Sequence, residues 1–249
     1  MGALEGKVAA ITGASSGIGA ATARSLAAEG CAVALAARRG DRIEALASEV
    51  EAAGGRAWAL ETDVSDEAQA RAFVEGAAEA LGGLDVLLNN AGVMLLGPVQ
   101  GADTDEWRTM VDVNVLGLLY CTHAALPIMR DTGGGHIVNV SSTAGRHAFL
   151  GAAVYNFTKW GVCGFSEALR QEALHVGVRV TIIEPGFTET ELQGHNTNPA
   201  VVAATEKTRE QIGDLLQSDD IAAGILYAVT QPPHVAVNEV LIRPTRQQR

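Results

Sequence analysis

Short runs of β-branched and small apolar residues alternate along the chain with longer segments in which apolar positions recur every three or four residues. The first pattern marks strands buried on both faces and the second marks amphipathic helices, so their regular succession predicts an α/β fold around a parallel sheet. Strands are expected near Lys7 to Thr12, Ala32 to Ala36, Arg56 to Glu61, Val86 to Asn89, His136 to Ser141, Arg179 to Glu184 and Val240 to Ile242. Helices are expected over Gly17 to Glu29, Arg42 to Ala53, Asp66 to Leu81, Asp105 to Met129, Ala152 to His175 and Asp219 to Val229. The sum is one doubly wound parallel sheet of seven strands with helices on both faces.

One segment breaks the rhythm. Residues 188–214 mix Gly194, Asn196, Asn198 and Pro199 with a weak helical stretch around Val202 to Ile212, and they follow a strand whose carboxyl end faces the ligand side of such a sheet. Long excursions at that edge are commonly functional, which makes this segment a candidate lid over a site. No repeat or linker divides the rest, so residues 1–249 read as a single domain.

Composition narrows the partners. A hydrophobic share of 47% suffices for one continuous core, and a formal charge of -11 offers no basic stripe to nucleic acid or an anionic membrane surface. The expected partners are small molecules or copies of the chain itself. Cys31, Cys121 and Cys163 are odd in number and sit in apolar segments, which fits reduced thiols in a cytoplasmic protein better than a disulfide framework. The first residues lead into a strand pattern with no signal-like segment, and no apolar run approaches the roughly 20 residues that cross a bilayer. The six histidines are scattered without metal-ligand spacing, so no catalytic metal is expected.

The turn Gly13-Ala14-Ser15-Ser16-Gly17-Ile18-Gly19 follows an apolar strand and opens an Ala-rich helix. Glycines admit a pyrophosphate close to the backbone, and the helix start offers free N–H groups and a favourable dipole. After the second strand no acid stands ready for a ribose 2'-hydroxyl; Arg38 and Arg39 stand there instead and suit a 2'-phosphate, which favours NADP(H) over NAD(H), the other reading being a solvated pair with Asp41 and Glu44 as local partners. Asp63 and Val64 can hold an adenine ring, or Asp63 can cap the next helix. Asn90, Ala91 and Gly92 form a small-residue loop after the fourth strand, bordering the same cleft. Pro185 and Gly186 close the sixth strand, either shaping a nicotinamide pocket or simply ending the strand, and Thr188 can reach a carboxamide or a phosphate.

Tyr155 and Lys159 are four residues apart, hence on one helix face, where an ammonium beside a phenol favours the ionised phenol. Carbonyl reduction by hydride transfer needs an acid for the developing alkoxide and a donor that polarises the carbonyl. Tyr155 suits the first role, and Ser142, at the end of the fifth strand, suits the second. Asn114 can organise water leading to Lys159 or be a satisfied core amide. His147 near the expected substrate mouth reads as a solvated loop histidine, and Cys163 as a small buried residue. Met94, Leu150, Val154, Phe187 and Leu192 are candidates for an apolar pocket, with core packing an equal explanation.

Taken together, Thr12-Gly13-x-x-x-Gly17-x-Gly19, Asn89-Asn90-Ala91-Gly92, Asn114, Ser142, Tyr155-x-x-x-Lys159 and Pro185-Gly186 resemble the short-chain dehydrogenase/reductase family over essentially the whole chain. The resemblance implies a Rossmann-type sheet in the order 3-2-1-4-5-6-7, a catalytic tetrad of Asn114, Ser142, Tyr155 and Lys159, and an NADP(H)-dependent aldehyde or ketone reductase. It also implies a homotetramer built through the helices around Asp105 to Met129 and Ala152 to His175. Two departures stand out. Phe157 replaces a small residue, on another helix face than Tyr155 and Lys159, where it packs against the protein or a partner subunit; Thr188 replaces an aliphatic. The alternatives are a non-catalytic NADP-sensing regulator on the same fold, against which the intact tetrad argues, and a sugar-nucleotide epimerase or dehydratase, which needs a longer substrate domain.

Overall fold

Side chains alternate across the central strand: β1 (Val8–Thr12) sends Ala9 and Ile11 into one core and Val8 and Ala10 into a second core on the opposite face. A strand buried on both sides cannot alternate apolar with polar, which explains its continuous apolar run. The computed structural model describes residues 2–196 and 198–248; Met1, Arg249 and Thr197, the last within the expected lid, lie outside the described residues. Its elements run β1, α1 (Gly17–Ala28), β2 (Ala32–Ala37), α2 (Gly40–Ala52), β3 (Ala57–Glu61), α3 (Glu67–Leu81), β4 (Val86–Asn89), α4 (Thr104–Val111), α5 (Gly117–Asp131), β5 (Gly135–Val140), α6 (Ala153–Ala173), β6 (Val178–Pro185), α7 (Pro199–Ile212), α8 (Ser218–Val229) and β7 (Glu239–Ile242). All seven strands are parallel, in the order β3-β2-β1-β4-β5-β6-β7 implied by the family resemblance.

The two cores sort the helices. Leu26 of α1, Ile43 and Leu46 of α2, and Ile221 and Ile225 of α8 fill one face, while Phe73 of α3, Cys121 and Met129 of α5, and Leu169 of α6 fill the other. Phe73 is fully buried and stacks on Trp58 of β3 with ring centroids 6.1 Å apart. Truncating such a ring to Ala costs about 3–5 kcal/mol, since the cavity adds to the lost transfer energy. Because the chain winds from β1 to β2 and β3 on one side and continues through β4 on the other, a crevice opens at the carboxyl ends of β1 and β4.

The expected helix over Asp105 to Met129 is in fact three pieces. Asp112–Leu116 forms one turn of π-helix between α4 and α5, a device that occurs mostly at functional sites. An 18-residue window of the helical stretch Thr104–Asp131 has a mean hydropathy of 1.3, so by length and composition alone it is apolar enough to cross a membrane, although Asp112, Asn114 and His123 interrupt its apolar run. Its buried stripe, with Leu118, Cys121, Ala124, Ala125 and Met129, packs onto the sheet and α3 as a core helix does.

Candidate active site

Thr12, at the end of β1, ties the glycine turn to the end of β4. Its hydroxyl accepts from the backbone N–H groups of Asn90 (3.0 Å) and Ala91 (3.1 Å), and the Asn90 amide donates back to the carbonyls of Thr12 (2.9 Å) and Gly13 (3.2 Å). The closeness explains the glycines: Gly13 has φ +66, and a Cβ on Gly19 would sit 2.3 Å from the Gly13 carbonyl oxygen, a backbone atom that cannot yield. α1 then begins at Gly17, and Ser16, Gly17 and Ile18, whose N–H groups have no partner within the helix, line the crevice.

Every catalytic or cofactor-binding residue expected from the sequence except Gly19 and Asn114 lines a single cleft of about 440 Å³. Gly19 backs the glycine turn instead, and Asn114 lies behind Gly92, where a Cβ would come 3.3 Å from the Asn114 Oδ1. At one end of the cleft Arg39 donates to the Ser15 hydroxyl from Nε (3.1 Å) and Nη2 (2.8 Å), and from Nη2 to Ser16 (2.9 Å). Arg38 is exposed and makes no ion pair with any described residue. Arg42, which the sequence reading used only as a helix start, joins Arg39 through Glu191. Asp63 does not cap α3. Asp66 does, accepting from the Gln69 N–H, while Asp63 Oδ1 accepts from the Ser65 N–H (3.0 Å) and hydroxyl (2.7 Å) and leaves the Asp63 carboxylate at the cleft wall.

At the other end Ser142 follows β5 and caps a single 3-10 turn, its Oγ accepting from the Ala144 N–H at 3.1 Å. Tyr155 and Lys159 face it from α6, both buried. Burial pushes the phenol up to about 12, and a side-chain hydrogen bond with Ser142 draws it partly back. Burial pushes the Lys159 ammonium the other way, down to about 8. Lys159 Nζ donates to the Val140 carbonyl (3.0 Å) and lies 5.8 Å from the Tyr155 ring centroid. Asn114, inside the π-turn, spends its amide on Val93: Oδ1 accepts from the Val93 N–H (2.8 Å), and Nδ2 donates to the Val93 carbonyl (2.9 Å) and to Thr158 Oγ1 (3.2 Å). Its side-chain amide is thereby satisfied within the protein.

Residues from Thr188 to His195, at the start of the expected lid, line the remaining wall. Thr188 bridges to Leu216 and its hydroxyl donates to the Gly186 carbonyl (3.0 Å); a short 3-10 turn, Glu191–His195, crosses the cleft; and Asn196 Oδ1 accepts from the Leu96 N–H at 2.7 Å. Thr190, Glu191, Gln193 and His195 line the cleft and were not expected from the sequence, because no local pattern says where this excursion lands. Leu192 lines it too, whereas His147 does not and Leu150 is fully exposed. Met94 and Val154 pack with Val93, Met110 and Tyr155 in a small cluster beside the cleft. Cys163 is half-buried and lies 3.2 Å from Ser141 Oγ; burial raises its thiol pKa, the largest of several influences. Phe157 is 66% exposed, so it does not pack within its own chain.

Residues 7–200 match the family profile described as short chain dehydrogenase. The chain belongs to the short-chain dehydrogenase family. It is 40% identical to an uncharacterized oxidoreductase of Staphylococcus saprophyticus over 99% of both chains. It is 45% identical to a glycine betaine reductase of Emericella nidulans over 98% of this chain, which spans only 19% of that protein's length. Solved dehydrogenase structures superpose closely. A serine dehydrogenase in a closed form with NADP+ shares 32% identity and a TM-score of 0.89, covering 97% of this chain and 96% of that one. An alcohol dehydrogenase from Thermococcus sibiricus, complexed with 5-hydroxy-NADP, shares 30% identity and a TM-score of 0.87, covering 98% of each.

Proposed function

We propose that this oxidoreductase reduces a ketone or aldehyde to an alcohol with NADPH, reversibly, using Tyr155 as the proton donor. One observation carries the reading: a phosphate-suited end, with Ser15, Ser16 and Arg39, and an acid-bearing end, with Ser142, Tyr155 and Lys159, share one cleft. The cofactor fits the residues present, since the glycine turn and the start of α1 line the cleft through Gly13, Gly17 and Ile18, and a guanidinium fork with two hydroxyls suits a phosphate monoester. The names of the serine and alcohol dehydrogenases with bound NADP species support the same cofactor.

In this reading Gly13 to Gly19 hold the pyrophosphate and Arg38 and Arg39 the 2'-phosphate, with Asp63 and Val64 at the adenine. Asn90, Ala91, Gly92, Pro185, Gly186 and Thr188 form the nicotinamide end. The bound cofactor supplies the hydride. Ser142 donates a hydrogen bond to the carbonyl oxygen, polarising it. Tyr155 gives its proton to that oxygen as negative charge develops. Lys159 stabilises the phenolate left behind and orients the nicotinamide ribose. Asn114 acts one step back, holding Val93 and the π-turn in register. Residues 188–214 serve as the lid. Exposed Phe157 and Trp160, three residues apart on α6, fit burial against another copy of the chain in a homotetramer.

The test runs NADPH and NADH in parallel against a panel of aldehydes and ketones. NADPH should be preferred by about tenfold or more in kcat/KM, the worth of one charge-assisted phosphate site. Equal efficiency would contradict the roles of Arg38 and Arg39, and tight NADPH binding without turnover would favour a non-catalytic sensor.

A further inference from the structure

The lid carries a carboxylate that competes for the phosphate-suited end of the cleft. Glu191 Oε2 accepts from Arg39 Nη1 at 2.6 Å, Oε1 accepts from Arg42 Nη1 at 2.7 Å, and Ser16 also hydrogen-bonds the group. Arg39 is the donor proposed above for the 2'-phosphate of NADP(H), with Arg42 and Ser16 beside it, so the inference rests on that reading. We propose that Glu191 is a latch that sets cofactor choice: a 2'-phosphate displaces its carboxylate from Arg39, Arg42 and Ser16 and frees the Glu191–His195 turn, whereas NAD(H) leaves the turn latched.

Three physical points support it. A phosphate monoester carries up to two negative charges and three acceptor oxygens, so it outcompetes a single carboxylate for a pair of guanidinium groups. The two anions cannot share the site, because like charges a few ångströms apart repel strongly. The latch also stays charged at any working pH, since Arg42 and Arg39 hold the Glu191 carboxyl down at about 2. Mechanically, Glu191 holds the segment down between the Thr188–Leu216 bridge, with the contacts of Glu189 to Arg209 and Gln217, on one side and the Asn196–Leu96 hydrogen bond on the other. Its neighbour Thr190 lies beside the glycine turn, with its methyl carbon 3.3 Å from where a Cβ on Gly17 would stand. Breaking the Glu191 ties therefore loosens the Glu191–His195 turn over the site. It also means that NADPH binds more weakly than its own contacts permit, by the factor needed to open the latch.

Calorimetric titration with NADPH, NADH and 2',5'-ADP tests this, using wild type, Glu191→Gln and Arg39→Ala. Glu191→Gln should bind NADPH and 2',5'-ADP about threefold tighter or more, the scale of partly exposed ion pairs, with NADH changed less than about twofold. In wild type, 2',5'-ADP should speed amide hydrogen exchange across 188–196 while 5'-AMP should not. Unchanged or weaker NADPH affinity in Glu191→Gln, or an equal gain for NADH, overturns the latch. If wild type prefers NADPH and Arg39→Ala abolishes that preference, such a result sinks the latch alone; if wild type shows no preference, the cofactor assignment beneath it fails as well.

Discussion

At Tyr155 and Lys159 burial acts in opposite senses, and it outweighs the stabilisation of phenolate that the four-residue spacing suggests. The phenol is driven up to about 12 and the ammonium down to about 8. A phenol that keeps its proton through the neutral range is ready for reduction, while oxidation of the alcohol needs phenolate and should accelerate as pH rises. The same shifts make a stability prediction. Lys159 has a folded value below its ordinary 10.5, so between about pH 8 and 10.5 the unfolded chain holds a proton the folded chain has released, and stability rises with pH across that window. Below it the full penalty of the buried charge applies. Lys159→Met removes the charge at similar volume, so it should melt a few degrees above wild type at pH 7, lose the stability gain between pH 8 and 10.5, and lose turnover. Thermal melts across pH, beside activity, check this; a lower melting point at pH 7 would show that the Val140 hydrogen bond outweighs desolvation.

Among the elements, the π-turn is the feature the apolar periodicity could not reveal. A period near 3.6 runs from Asp105 to Met129 and predicts one helix, and a single wide turn shifts the phase too little for the pattern to register. Its consequence is local: Asn114 turns inward and satisfies both backbone polar groups of Val93. Asn114→Ala should therefore cost about 1–3 kcal/mol in denaturant unfolding, because it strands a buried N–H and C=O. It should lower kcat more than it changes NADPH affinity, and an unchanged unfolding midpoint would contradict the account. Strand positions, by contrast, are legible within a residue or two: Val8–Thr12, Ala32–Ala37 and Val86–Asn89 are buried on both faces and read as largely apolar runs, while the half-exposed edge strand Glu239–Ile242 is marked by its β-branched Val240 and Ile242.

On the scale of the whole molecule, parallel topology explains why most of the cleft could be read in advance. Gly13, Asn90, Ser142 and Gly186 each follow a strand, and parallel strands bring all their carboxyl ends to one edge. Arg42, Thr190, Glu191 and His195 escaped notice because they reach the cleft through tertiary contacts with no local signature. Assembly is open to the same logic: if exposed Phe157 and Trp160 meet another copy, light scattering should give a tetramer for wild type and smaller species for Phe157→Glu combined with Trp160→Glu. A wild-type monomer would contradict that arrangement. The central claim, that a buried phenol delivers the proton in a cleft that holds NADP(H), is tested most directly by Tyr155→Phe, with NADPH affinity from titration and turnover on an accepted carbonyl measured on the same sample. The account predicts affinity within a few-fold of wild type and turnover reduced by about 10²–10⁴; near-normal turnover would contradict it.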